Sequence, residues 1–232
     1  MTAATLSAAI DGPRLPPASG RATSLVVFLH GYGADGNDLI AIAREWRRLM
    51  PDAAFVAPHA PERCMASPQG RQWFPLTFRD PDERRRGVLA ARPGLDAFLD
   101  SELAKNGLTS DRLALVGFSQ GTMMALHAGL RRTTPPAAIL GYSGMLVSPE
   151  TLTEATGKPP ILLVHGDRDD VIPVDALFAA MDALGAAEIP VEWHLAAGLG
   201  HGIDGEGLRQ GAAFLASSLK PKKMTLRTAS QG

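Results

Sequence analysis

Six short apolar runs, separated by stretches of helical periodicity, leave this chain few folds to choose from. The runs occupy residues 25–29, 53–57, 113–116, 137–140, 161–164 and 191–195. Each is strand length, and the first five carry no charge, as in strands buried on both faces. The sixth, Val191-Glu192-Trp193-His194-Leu195, alternates apolar and polar residues and reads as a strand toward a sheet edge. Strands that alternate with helices imply a single α/β domain: a mostly parallel central sheet with helices on both faces. Right-handed crossovers then bring the C-terminal ends of the strands, and the loops after them, to one edge.

The helical stretches support this reading. Asp38 is expected to cap a helix whose apolar residues Leu39, Ile42, Trp46 and Leu49 recur at steps of three or four. Leu95, Phe98, Leu99 and Leu103 form a second stripe that stops near Asn106-Gly107. Pro93 either starts that helix or kinks a longer one beginning near Glu83. Residues 122–130, 174–184 and 206–219 supply three more. Residues 1–20 read as an N-terminal loop or edge segment, 21–219 as the domain, and 220–232 as a mobile basic tail.

Composition removes several function classes. The net charge of −1 over 232 residues provides no electrostatic footprint for nucleic acid. The lone Cys64 allows no intrachain disulfide, which fits a reducing compartment. The first ten residues have no basic start before their apolar stretch, so a secretory signal is not expected. No apolar run reaches the roughly 18–20 residues that span a bilayer, so no integral membrane segment is expected. The expectation is a cytoplasmic protein.

The strongest local signal is Gly117-Phe118-Ser119-Gln120-Gly121, between a strand and a helix. A strand-turn-helix nucleophile elbow needs small residues two before and two after its serine, and Gly117 and Gly121 meet that demand. The helix N-terminus that follows favours negative charge beside Ser119. A serine hydroxyl is a weak nucleophile, so it needs a base and the base needs an orienting carboxylate. The strand at 161–164 runs into an acidic loop that offers Asp167, Asp169 and Asp170. Asp167 is close enough to the strand to bond the turn, and Asp170 suits a turn or cap. His201, in Gly198-Leu199-Gly200-His201-Gly202, follows the last strand in a loop loose enough to swing over the nucleophile. Of the other histidines, His30 and His165 are expected to brace turns, His59 lies in a Pro-rich loop and His127 reads as buried structure. His194 is the one serious rival. No histidine shows metal-ligand spacing, and this chemistry calls for no cofactor.

A tetrahedral intermediate needs backbone N–H donors for its oxyanion. Gln120, after the nucleophile, is one expected donor. Tyr32, in the glycine-rich turn Leu29-His30-Gly31-Tyr32-Gly33, is the other.

These motifs, together with Asn37-Asp38, Ala57-Pro58-His59-Ala60-Pro61, Trp73-Phe74, His165-Gly166-Asp167-Arg168-Asp169 and Ile172-Pro173, make residues 25–219 resemble the phospholipase/carboxylesterase family of the α/β-hydrolase superfamily. The resemblance implies a compact serine hydrolase without a large lid domain, often dimeric. The aspartate three residues after the His-Gly glycine is that family's catalytic acid, which selects Asp169. The implied reaction is hydrolysis of a small-molecule ester with small to medium acyl chains through an acyl-enzyme. The alternatives are an acyl-protein thioesterase or lysophospholipase taking long acyl chains, and, from another class, a ligand-binding protein that has lost catalysis. One departure concerns the Trp-Phe loop, where the family commonly has an acidic residue and this chain has Pro75. Trp73 and Phe74 are expected either to contact substrate or to pin that loop to the core.

Overall fold

The computed structural model describes residues 10–77, 79–80 and 82–220. All but the first residue of the expected mobile tail, and the first nine residues of the N-terminal segment, lie outside them.

The strands in chain order are β1 (Arg14–Leu15), β2 (Ser24–Leu29), β3 (Ala53–Val56), β4 (Glu62–Arg63), β5 (Arg71–Gln72), β6 (Leu113–Phe118), β7 (Ala138–Tyr142), β8 (Ile161–Gly166) and β9 (Val191–Ala196). Seven of them form one sheet in the order β1-β3-β2-β6-β7-β8-β9, parallel except for β1, which runs antiparallel to β3. The pair β4-β5 is a separate small hairpin. The helices are α1 (Gly36–Trp46), α2 (Glu83–Asn106), α3 (Gln120–Gly129), α4 (Asp175–Ala186) and α5 (Gly205–Ser218).

The period of two along each strand sorts the core into two layers. In β2, Leu25, Val27 and Leu29 face one way, into a core with Leu95 and Leu99 of α2, Met124 of α3 and Leu177 of α4. Val26 and Phe28 face the other way, against Trp46 of α1 and Leu215 of α5. Phe28 stands 5.5 Å from Trp46 and 6.3 Å from Phe55, ring centre to ring centre. Full burial of each such side chain contributes about 1.5–3 kcal/mol.

Pro93 lies inside α2, so the longer of the two expected helices is the one that forms. It ends where Gly107 takes a left-handed φ of 64°, which a residue with a Cβ adopts only at a cost. The expected cap at Asp38 is corrected. Asp35, with extended backbone, accepts the Asn37 N–H at 2.7 Å, and Asp38 sits in the first turn. Leu49 falls beyond the helix and is exposed. The sheet's five parallel junctions place the ends of β2, β6, β7, β8 and β9 along one rim, and the site lies there.

Candidate active site

Ser119 sits between β6 and α3 with φ 53° and ψ −115°, a conformation that non-glycine residues rarely adopt. Its own N–H is fixed to Tyr142 O at 2.9 Å. Both flanking glycines are sterically required. A Cβ on Gly117 would meet Thr122 N and Cα at 2.4 Å, and one on Gly121 would meet Leu29 O at 1.8 Å. The strain thus comes from a helix packed tightly behind a turn, and the side chain left at its apex is a serine.

Asp169 and His201 are joined. Asp169 Oδ2 accepts His201 Nδ1–H at 2.8 Å, while Oδ1 accepts the Val171 and Ile172 N–H groups, each at 2.9 Å. Burial works to raise the carboxyl pKa. The bond from His201 and the two amides outweigh it and hold the group below the ordinary carboxylate range. The His201 ring lies 5.0 Å from the Phe118 ring, which places the imidazole beside the turn that presents Ser119. With Nδ1–H committed to Asp169, Nε2 is the nitrogen left as acceptor.

The loop bearing His201 is held at both flanks. Asp167 Oδ1 accepts Gly198 N–H at 2.6 Å, and Ser143 Oγ donates to Gly202 O at 2.9 Å. Asp204 then caps α5 by accepting Gly207 N–H at 2.7 Å. Ser143 is absent from the residues singled out by sequence. It is buried, with φ 44°, at the end of β7, and nothing in Gly141-Tyr142-Ser143-Gly144 alone distinguishes it from an ordinary strand-end turn.

The turn after β2 runs against the nucleophile: a Cβ on Gly31 would lie 3.3 Å from Ser119 Cβ. Tyr32 follows it, and Gly33 N–H donates to Arg71 O at 2.9 Å, fastening the turn to β5. Gln120 is the first residue of α3, so its N–H has no acceptor within the helix. The two expected oxyanion donors are therefore backbone groups on segments that converge at Ser119.

Residues 11–219 match the phospholipase/carboxylesterase family model. The chain belongs to the phospholipase/carboxylesterase family. With membership comes the class of chemistry, that of a serine hydrolase acting on carboxylic esters. The crystal structure of esterase PE8 is 48% identical, with a TM-score of 0.88 over 90% of this chain and 99% of that one. SOBER1 of Arabidopsis thaliana is 25% identical, with a TM-score of 0.75 over 85% of this chain and 99% of its own. Acyl-protein thioesterase 1 of Gibberella zeae is 29% identical over 90% of this chain and 97% of that protein. Esterase YpfH of Escherichia coli is 31% identical over 81% and 80%.

Within this family framework the remaining histidines have structural partners or none. His30 accepts Ala60 N–H on Nε2 and faces Gly31 O with Nδ1. His165 Nε2 lies 2.8 Å from Ile172 O, and His59 Nδ1 accepts Gly36 N–H. His194 lies within β9 opposite Val164, and its Nδ1 meets Gln210 of α5 at 3.1 Å, on the flank of the sheet rather than its rim. His127 is buried in α3 with neither ring nitrogen bonded.

Trp73 and Phe74 are each only 1% exposed. They help line a cavity of about 820 Å³ between α2 and the loop from 61 to 80, with Pro61, Thr77, Arg86 and Ala90 also in its walls. Neither Ser119 nor His201 lines it. Among the described residues no helix is long and apolar enough to cross a membrane, and no cluster of three or more His, Cys, Asp or Glu side chains is placed to hold a metal ion.

Proposed function

We propose that the protein is a cytoplasmic carboxylesterase for small-molecule esters of small to medium acyl chain, with Ser119, His201 and Asp169 as its catalytic triad. The observation that carries this is the 2.8 Å bond from His201 to a buried, amide-anchored Asp169, beside a strained serine turn. His201 Nε2 takes the Ser119 proton as Oγ attacks the carbonyl carbon. Asp169 fixes the tautomer and stabilises the imidazolium that results. The N–H groups of Tyr32 and Gln120 receive the oxyanion. The imidazolium then protonates the leaving alcohol, and a water activated by the same ring releases the acid. Trp73 and Phe74 belong to the loop that walls the acyl side.

A second reading, thioester hydrolysis on longer acyl chains, is favoured by the relatives named acyl-protein thioesterase. A panel of p-nitrophenyl esters from acetyl to palmitoyl, run beside palmitoyl-CoA, separates the two. Under the first reading kcat/KM peaks at or below the medium chains and palmitoyl-CoA is a poor substrate. The triad itself is tested by Ser119→Ala, which should lower kcat on the order of 10⁴–10⁶-fold with an unchanged circular dichroism spectrum. Turnover near that of the wild type in this variant would overturn the assignment.

A further inference from the structure

Trp73 and His30 stand outside the reacting groups, yet their hydrogen bonds run to both segments that supply the oxyanion donors. Trp73 Nε1–H donates to His30 O at 3.0 Å. His30 Nδ1 lies 2.8 Å from Gly31 O, the carbonyl of the peptide group whose N–H belongs to Tyr32. Because Ala60 N–H donates to His30 Nε2 at 2.9 Å, that nitrogen is the acceptor and Nδ1 carries the proton. Burial keeps the ring neutral by lowering its pKa. On the other side, Gln120 Oε1 accepts Trp73 N–H at 2.9 Å and Gln120 Nε2 donates to Phe74 O at 2.8 Å. Both Gln120 contacts fix the amide orientation, since one partner is a donor and the other an acceptor.

We infer that His30 and Trp73 are positioning residues for the oxyanion hole, forming one bonded strut from the Gly31–Tyr32 peptide to Gln120. The inference rests on the oxyanion role proposed above for the Tyr32 and Gln120 amides. A peptide unit is planar and trans, so its carbonyl and N–H point in opposite directions. Holding Gly31 O with His30 Nδ1–H therefore aims Tyr32 N–H the other way, and a bond to the carbonyl also polarises that N–H as a donor. Trp73 Nε1–H holds the preceding carbonyl, so two successive peptide planes are fixed. Trp73 and His30 lie ring beside ring, 5.7 Å apart and both buried, which leaves the strut little freedom. The Gln120 side chain couples the main chain of Trp73 and Phe74 to the first turn of α3. An oxyanion site works through donors already aimed before charge develops, so a loose strut costs turnover rather than substrate affinity.

The experiment compares Trp73→Phe, His30→Asn and His30→Leu with the wild type and Ser119→Ala, on acetyl, butyryl and octanoyl p-nitrophenyl esters and with a trifluoromethyl ketone inhibitor. Trp73→Phe keeps an aromatic ring and deletes the N–H. It should lower kcat about 5- to 30-fold by the same factor for all three esters, with KM within about twofold, and weaken the ketone in parallel, as expected for a lost transition-state contact. His30→Asn retains a donor near Nδ1 and should recover at least fivefold of the kcat that His30→Leu loses. The strut is overturned if folded Trp73→Phe keeps kcat within twofold of the wild type on acetyl ester, or if its only change is a raised KM on longer chains. Equal losses in the two His30 variants overturn it as well, and that pair decides the matter should Trp73→Phe fail to fold. If instead Ser119→Ala stays active, or the ketone does not inhibit the wild type, the triad reading fails first, and the strut falls with it.

Discussion

Asp167 and Gly198 are joined across the two loops that meet at the site: the carboxylate at the end of β8 accepts the glycine N–H at 2.6 Å, and Gly198 holds φ 75°. The bond fastens the turn that carries His201 to the same loop that carries Asp169. Asp167 is exposed, so its worth to global stability is small. Its effect should appear in the placement of His201. Asp167→Ala is expected to lower kcat roughly 3- to 10-fold with KM unchanged, in line with the loss of about one hydrogen bond. Steady-state kinetics on a single ester suffice, and an unaltered kcat would show that the turn holds its shape without this bond.

Asp169→Asn should be far more damaging with little change of shape. The Asn carbonyl can still accept Val171 and Ile172 N–H, but its NH₂ then faces His201 Nδ1. That forces the proton onto Nε2, the nitrogen that has to receive one from Ser119. A fall in kcat on the order of 10⁴ is expected. A loss under tenfold at pH 8 would mean that another group orients the ring.

His127 predicts a pH effect on stability that does not involve the reaction. Burial first, and then the charges of Arg131 and Arg92, lower its pKa to about 4 in the folded protein, against an ordinary value of 6.5, while Glu154 pulls weakly the other way. The unfolded chain therefore takes up this proton first as pH falls. The native state loses stability from pH 6.5 downward, and the full loss is reached below pH 4. Between pH 7 and pH 5 the group should account for roughly 2 kcal/mol. Urea unfolding at the two pH values checks this: His127→Leu should reduce the pH-dependent loss by about that amount. Equal losses in variant and wild type would sink the account.

Gly121→Ala tests the elbow as a packing problem. The added methyl would have to occupy space 1.8 Å from Leu29 O and 2.8 Å from His30 O, both backbone atoms that cannot rotate away. Destabilisation of roughly 2–4 kcal/mol is expected. Gly185→Ala, where nothing lies within 4 Å of the new Cβ, is the control and should be neutral or slightly stabilising. Similar unfolding midpoints for the two variants would be the contrary result.

Much of the fold could be read from residue order, because buried parallel strands write themselves as uncharged apolar runs. The structure has a strand at each of the six expected positions. What residue order does not show is strand character that only a pairing partner confers. β1 is two residues whose strand character comes from Val56 and Phe55, and β4-β5 is equally short. Asp35 and Asp38 both suit a cap, and only the start of α1 decides between them. At the site, Ser119 and His201 could be singled out from their glycine-rich surroundings. Choosing among Asp167, Asp169 and Asp170 needed family resemblance, since all three lie in one acidic loop. The aromatic pair shows the same limit: the letters Trp73-Phe74 do not reveal that the indole Nε1–H is bonded to His30 O.

Every residue assigned to the reaction lies where parallel strands finish, and the segments by which the chain enters those strands carry none of them. At that opposite pole Arg112 clamps the carbonyls of Thr23 and Leu219, each at 2.7 Å, so the last helix ends far from the reactive face. A fusion partner or a surface tether attached after Leu219 would accordingly leave the catalytic mouth pointing outward, which makes this end of the molecule the natural handle for immobilisation.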